Sequence, residues 1–121
     1  MSRPKVLVVS GPLSSDVLQL FDEVRNDIEL VFVPKGKRLD AHLPDVEVLY
    51  GCLTPEQFAR TARLRWVQHP STGVDNMIFE AFVESDILLT SVGGALTSTV
   101  ADHAMALLLA IVRHLHLNRD Q

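Results

Sequence analysis

Cysteine is almost missing from this chain of 121 residues, in which Cys52 is the single example. One thiol cannot form an internal disulfide or a thiolate metal cage, which fits a reducing compartment. Basic residues are also in deficit, because 11 Lys and Arg stand against 15 Asp and Glu and give a formal charge of −4. Binding to a phosphate backbone requires an excess of positive charge, so no nucleic-acid partner is expected.

Long apolar runs are missing as well. The four apolar residues 6–9 are too few for the hydrophobic region of a signal peptide. The longest apolar run, 104–112, is well short of the ~20 residues that span a bilayer. The hydrophobic fraction of 47% with 21% charged residues is typical of a folded globular domain. We therefore expect a cytoplasmic protein with no membrane partner.

Short apolar runs alternate along the chain with segments of helical periodicity. The predicted strands cover 6–9, 28–33, 46–50, 64–68 and 87–90, and the predicted helices begin near Ser14, Thr54 and Asp75. Parallel strands need crossover connections, and short helices are the usual ones. The alternation predicts an α/β fold, with a flavodoxin-like parallel sheet of about five strands and helices on both faces. The single tryptophan, Trp66, lies inside a predicted strand and is expected in the core.

The last helix is unlike the others. Thr99 and Asp102 have the spacing of a capping box, so a helix is predicted to begin there and to continue to about Leu117. Apolar residues fall on nearly all of its faces, which is unusual for a surface helix. Either a second copy of the chain covers this helix, or the helix connects two domains. The second interpretation divides the chain into a flavodoxin-like domain, 1–98, and a linking helix, 99–121.

Three segments in this order resemble the amino-terminal region of the D-isomer-specific 2-hydroxyacid dehydrogenases. In that family a strand leads into a Gly-Val-Asp turn, as in residues 64–75, and a second strand follows, as in 87–91. A helix start similar to Val-Ala-Glu-His then leads into a leucine-rich stretch that ends in Arg, as in 100–113. Two departures are that Asp102 stands where Glu is usual and that residues 92–94 replace the family's common Asn-x-Pro-Gly loop.

The resemblance implies that the chain is the substrate domain of a larger NAD- or NADP-dependent enzyme that reduces small 2-keto acids to D-2-hydroxy acids. The family's glycine-rich nucleotide loop, substrate-binding arginine and acid–base histidine lie beyond the part that this chain matches. We therefore assign no catalytic residue and no metal ligand. The chain alone is expected to bind no cofactor and to have no dehydrogenase activity, and the long helix is expected to lead toward an absent nucleotide-binding domain.

The family's pattern also implies which residues contact the substrate. Its Gly-Val-Asp turn holds the substrate carboxylate, and this position falls on Thr72, Gly73 and Val74. The residues themselves agree, because a strand end followed by a helix start offers free N–H groups to an anion, and glycine permits close approach. Two further positions, Cys52 and Leu96, match the wall of the family's substrate pocket. Val100 matches a position that borders the nicotinamide.

Other interpretations remain. Gly73 is alternatively a turn glycine with positive φ that binds nothing. The alternative function is a free-standing flavodoxin-like binding or dimerisation module without catalysis. A phosphate site over 10–15 is disfavoured, because Pro12 lacks an N–H donor. His114 and His116 are two residues apart on a helix and so do not form a metal-binding pair. The apolar helix also predicts a homo-oligomer that forms through residues 100–117.

Overall fold

The computed structural model describes residues 3–115 and residue 117. Its strands are β1 (Lys5–Ser10), β2 (Glu29–Pro34), β3 (Val48–Tyr50), β4 (Trp66–Gln68) and β5 (Leu88–Thr90). Its helices are α1 (Ser15–Val24), α2 (Pro55–Phe58), α3 (Glu80–Val83) and α4 (Thr97–Val112), with 3-10 turns over Asp75–Met77 and Gly93–Leu96. All five strands are parallel, in the order β2-β1-β3-β4-β5, so the predicted flavodoxin-like sheet is confirmed.

One face of the sheet carries the hydrophobic core. The strand register places Leu7 of β1 beside Leu49 of β3, and Leu49 beside Val67 of β4. All three side chains are fully buried. The phenylalanines of α2 and α3 pack against this face, and the rings of Phe58 and Phe82 lie 5.4 Å apart. The loop between β2 and β3 adds further buried side chains, Leu39, Leu43 and Val46.

The opposite face of the sheet is covered on one side only. α1 packs there against β2, and the rings of Phe21 and Phe32 meet edge to face with their centroids 5.4 Å apart. Helices therefore lie on both faces, as predicted. Away from α1 the face is open, since Trp66 is 40% exposed and Leu88 is 58% exposed. The expectation that Trp66 lies in the core is wrong, because side chains alternate along a strand and its neighbour Val67 faces the core.

α4 extends away from the sheet. Of its sixteen residues, Ala110 is half-buried and all the others are exposed. The predicted capping box is wrong, because the helix begins at Thr97 and both Thr99 and Asp102 lie within it. The preceding 3-10 turn leads directly into the helix, and Gly94 O accepts the N–H of Thr97. This turn therefore supplies partners that a capping side chain would otherwise provide.

The far end of α4 also differs from the prediction. The helix ends at Val112 rather than near Leu117, and Arg113 caps it. Beyond the cap, His114 has a positive φ of 52°, which a continuing right-handed helix does not allow. The predicted helix and linking segment also include residue 116 and residues 118–121, which lie outside the described residues.

Among the described residues, one helical stretch is long and apolar enough to cross a bilayer. It covers Gly93–Val112 and has a mean hydropathy of 1.7. It exceeds the apolar run 104–112 because the 3-10 turn and the first turns of α4 extend it toward the N-terminus. None of this stretch is buried in the described structure, and the finding rests on length and composition alone. It is therefore weak evidence for a membrane span.

Candidate functional site

The candidate site lies where the carboxyl ends of β1, β3 and β4 meet. Ligands of open parallel sheets bind at this edge, because the loops that follow neighbouring strands converge there. A cleft of about 570 Å³ opens at the edge, and its walls include Gly51 and Cys52 after β3 and Pro70 after β4. Lys35 and Lys37 also line it, and no Asp or Glu is among its described lining residues. Its volume and charge suit a small anion.

The predicted carboxylate-binding turn follows β4 and is open to solvent. Thr72 and Gly73 are exposed, and Val74 is half-buried. Gly73 is not among the residues with positive φ, so the alternative that it is a turn glycine of that kind is not supported. A Cβ at this position would lie 3.6 Å from Oδ2 of Asp75, an ordinary contact. The fold thus does not require glycine here, and the exposed backbone is accessible to a ligand.

Cys52 lies at the same edge of the sheet as this turn. Its side chain is half-buried and lines the cleft. The backbone N–H of the next residue, Leu53, donates to Sδ of Met77 over 3.2 Å, which ties the β3 loop to the far end of the turn. The structure therefore places Cys52 and the turn 72–74 in adjoining loops. Cys52 lines the cleft, whereas Thr72, Gly73 and Val74 do not, and the loop after β4 reaches it at Pro70.

Leu96 and Val100 are placed differently. They lie just before and within the first turns of α4, where Leu96 is 52% exposed and Val100 is 65% exposed. Neither residue is among those that line the cleft. A pocket wall or a nicotinamide border at these positions would need a further surface opposite α4, so both assignments remain predictions.

Gly51 was not predicted from the sequence as part of the site. Gly51 is buried at the end of β3 with a φ of 150°, and a Cβ there would lie only 3.1 Å from Cβ of Val9. Its N–H donates to Gln68 O over 3.1 Å, so the backbone here is bonded to the end of β4. A glycine directly after a buried strand was the available signal, since such a position often marks close backbone approach.

α2 places Gln57 at the cleft. Its predicted start is confirmed, because Thr54 is the N-cap and Pro55 is the first helical residue. The Thr54 hydroxyl accepts the N–H of Gln57 over 3.3 Å, and Oε1 of Gln57 accepts the N–H of Thr54 over 3.0 Å. A hydrogen bond from Thr54 also keeps the pKa of the Glu56 carboxyl below its ordinary value. The capped helix fixes Gln57 in the cleft wall.

Other candidate groups do not assemble into a site. The described residues contain no cluster of three or more His, Cys, Asp or Glu that could hold a metal ion. His103 is exposed on α4, and His116 lies outside the described residues. His69 is different, because it is buried beneath the turn, where its imidazole contacts Ser71 and Asn76.

Comparison with known proteins places this arrangement in a family. The model described as "D-isomer specific 2-hydroxyacid dehydrogenase, catalytic domain" matches residues 6–113. A glyoxylate reductase of Pyrococcus furiosus is 32% identical over 118 residues, which cover 93% of this chain and 35% of that protein. A D-3-phosphoglycerate dehydrogenase of Methanocaldococcus jannaschii is 26% identical over 113 residues, which cover 90% of this chain and 21% of that protein.

A solved structure agrees with the fold. The PH0520 protein from Pyrococcus horikoshii OT3 superposes with a TM-score of 0.70 at 24% identity, over 98% of this chain and 36% of that one. The chain therefore spans about a third or less of the length of these relatives.

Proposed function

This chain belongs to the D-isomer-specific 2-hydroxyacid dehydrogenase family, and we propose that it is the substrate-binding portion of an NAD- or NADP-dependent oxidoreductase. The proposed reaction is the reduction of a small 2-keto acid to a D-2-hydroxy acid. The observation that supports this most is the exposed turn 72–74 beside a cleft that is lined by lysines and by Cys52.

The proposed role of this chain is to hold and orient the acid group of the substrate. The backbone N–H groups of Thr72, Gly73 and Val74 are the proposed donors to the carboxylate, and charged acceptors strengthen such bonds. Holding the acid group fixes where the 2-oxo carbon lies relative to the rest of the enzyme. Lys35 and Lys37 in the cleft wall add a favourable potential for an anion.

We propose that the nicotinamide nucleotide does not bind to the described residues alone. In support, the Gly93-Gly94 pair has positive φ at its first member but lacks the third glycine of the dinucleotide-binding pattern. Val100, the proposed border of the nicotinamide, is 65% exposed on α4. We therefore assign no step of hydride transfer to this chain and propose that NAD or NADP binds to the remainder of the enzyme.

A titration tests the binding role. The ¹⁵N-labelled chain is titrated with glyoxylate and, as the matched control, with glycolaldehyde, which has the same carbon skeleton but no carboxylate. We expect glyoxylate to shift the amide resonances of Thr72, Gly73 and Val74, and glycolaldehyde to leave them unchanged. Equal shifts with both compounds, or no shift in this turn, would refute the proposed role.

An activity assay tests the division of labour. We predict that the chain alone does not oxidise NADH in the presence of glyoxylate, because we assign it neither the nucleotide site nor the acid–base group. The assay follows NADH absorbance with a complete dehydrogenase of the family as the positive control. Turnover by the purified chain at a rate proportional to its concentration would contradict the prediction.

Self-association through residues 100–117 is the second part of the proposal, and it also covers the alternative function of a dimerisation module. The support is the exposure of large apolar side chains on α4, including Leu108 at 52% and Ile111 at 62%. Such a surface exceeds what isolated soluble monomers usually present. We expect sedimentation equilibrium to show dimers or larger species at micromolar concentration.

A paired variant makes this test specific. Leu108→Gln together with Ile111→Gln should shift the chain toward monomer, because both changes remove apolar surface from α4. The control is Leu20→Gln, at a residue that is 63% exposed on α1, which should leave the association unchanged. A wild-type chain that sediments only as monomer would contradict self-association.

We also propose a cytoplasmic location without a membrane partner. The family's catalytic-domain pattern extends through residue 113 and so includes α4, which supports this proposal. The single free thiol, Cys52, is compatible with a reducing compartment. Flotation of the chain with phosphatidylcholine vesicles tests this, and we expect it to remain in the vesicle-free fraction.

A further inference from the structure

His69 is the buried polar side chain of the described core, and it is only 3% exposed. It directly follows β4, and its backbone N–H donates to Thr90 O of β5 over 2.6 Å. Its Nδ1 lies 3.2 Å from N of Ser71, and its Nε2 lies 3.1 Å from Oδ1 of Asn76. One imidazole thus contacts the residue just before Thr72 and a residue just after the turn 72–74.

The orientation of Asn76 favours one tautomer of the ring. Oδ1 of Asn76 faces Nε2 of His69 and accepts a hydrogen bond from it, which favours the Nε2–H form. Nδ1 then accepts the N–H of Ser71, although Ser71 O lies at the same distance of 3.2 Å and would accept from Nδ1 in the other form. Both ring nitrogens have partners of matching polarity, and no described buried side-chain polar atom lacks one. The imidazole therefore has one preferred orientation beneath the turn.

The far end of the turn is held independently. Met77, at the end of the 3-10 turn, is fully buried, and its N–H donates to Val74 O over 2.7 Å. Its Sδ accepts the N–H of Leu53, in the loop that carries Cys52. The exposed residues Thr72 and Gly73 therefore lie between two fixed points, one at His69 and one at Met77.

We propose that His69 is a positioning residue, which through Ser71 and Asn76 fixes the turn 72–74 in the conformation that presents its backbone N–H groups to the substrate's acid group. This inference rests on the proposed function. A turn that is already ordered before binding does not lose that conformational freedom when the ligand arrives, so its affinity is higher. A purely structural role for His69 would affect the stability of the fold without changing the affinity for a carboxylate.

Asn76→Leu is the main test variant, because Asn76 is exposed and its replacement leaves the core intact. It removes the acceptor for Nε2 of His69. The matched control is Asn26→Leu, at an exposed asparagine in the loop between α1 and β2. A second variant, His69→Gln, keeps a donor in the place of Nε2 and loses the acceptor for Ser71.

Two measurements are made on each folded variant, whose urea midpoint is recorded. Long-range ¹H–¹⁵N spectra report the tautomer of His69, and a glyoxylate titration reports the dissociation constant. We expect the Nε2–H tautomer in the wild type and in Asn26→Leu. For Asn76→Leu we expect a tautomer mixture and a dissociation constant raised about three- to tenfold, as the loss of one hydrogen bond implies. His69→Gln has no imidazole and so no tautomer to measure, and its dissociation constant should lie between those of the wild type and of Asn76→Leu.

The outcomes separate the two proposals. If the wild type binds glyoxylate and Asn76→Leu binds it equally well, the positioning role is refuted while the binding function stands. A tautomer of His69 that is the same in the wild type and in Asn76→Leu would show that Asn76 does not orient the ring, which refutes the positioning geometry. If the wild type does not bind glyoxylate at all, the proposed function fails, and the role of His69 in binding fails with it.

Discussion

The two faces of the sheet over β3, β4 and β5 are both apolar, but they lie in opposite environments. On one face Leu49 and Val67 are fully buried under α2 and α3. On the other, Trp66 and Leu88 are 40% and 58% exposed, and α4, which extends away from the sheet, has no buried residue. Strands of a parallel sheet are apolar on both sides because both sides are normally covered. The open face and α4 are thus the parts of this surface that are suited to contact other protein.

A pair of leucines gives the largest expected difference between the two faces. Leu49→Ala removes a fully buried side chain from the centre of the core. It should lower the free energy of unfolding by about 2–5 kcal/mol, since it loses both transfer free energy and packing. Leu88→Ala, on the open face, should cost less than about 1 kcal/mol, because the side chain already contacts solvent. Urea denaturation followed by circular dichroism measures both.

The comparison between the two faces fails if Leu49→Ala and Leu88→Ala lower the free energy of unfolding by the same amount. A large cost for Leu88→Ala would mean that the open face is covered in solution, for example by α4 of a second copy. Measurement at several protein concentrations distinguishes this case, because stability that comes from association rises with concentration.

The sequence predicted the order of elements well because strand and turn signals are local. Each signal extends over only a few neighbouring residues, as in the apolar run 6–9, the helix start at Thr54-Pro55 and the Gly-Val-Asp turn. The edges of the elements were less predictable: the helix expected over 75–84 is a 3-10 turn followed by the short helix α3. The start of α4 was misplaced because the Thr99 and Asp102 spacing is a local pattern, whereas the actual start depends on the 3-10 turn before it.

Burial was harder to predict than element order. The exposure of Trp66 depends on which face of the sheet is covered, and a run that is apolar on both faces does not contain that information. The contacts within the candidate site were equally hard to predict from the sequence. Thr72, Gly73, Val74 and Cys52 were predicted through the resemblance, whereas the contacts of His69 with Ser71 and Asn76 depend on a ring orientation that spacing alone does not specify.

A pair of glycines gives the next largest expected change in stability. Gly51 lies on the packed face of the sheet, at the edge that carries the candidate site. Gly51→Ala forces an alanine to adopt a φ of 150° and places its Cβ 3.1 Å from Cβ of Val9. It should lower the free energy of unfolding by about 1–3 kcal/mol, as expected for strained backbone. The control is Gly11→Ala, where the added Cβ has no atom within 4 Å. We expect that change to be within about 0.5 kcal/mol of neutral. If urea denaturation shows the same loss of stability for Gly51→Ala and Gly11→Ala, the approach of β1 and β3 is not tight.

The smallest expected effect lies at the rim of the packed face, where Asp40 contacts two guanidinium groups. Oδ2 of Asp40 accepts a hydrogen bond from Nε of Arg38 over 2.9 Å, and its other oxygen pairs with Arg60. The hydrogen bond from Arg38 and the charges of both arginines hold the pKa of this carboxyl below the ordinary value of 3.8. The ionised form is thus favoured in the folded chain, so its stabilising contribution is complete above pH 3.8.

This contribution should disappear as the pH falls through the lowered pKa of Asp40. Asp40→Asn removes the charge, so the wild type should exceed this variant in stability at pH 7 and the two should converge below pH 3.8. The difference will be small and will shrink in high salt, because the partners are exposed to solvent. A double variant, Arg38→Gln with Arg60→Gln, removes the same pairs from the other side and should lose the same pH dependence. A wild type whose advantage over both variants does not shrink as the pH falls below 3.8 would show that Asp40 stabilises the loop through something other than its charge.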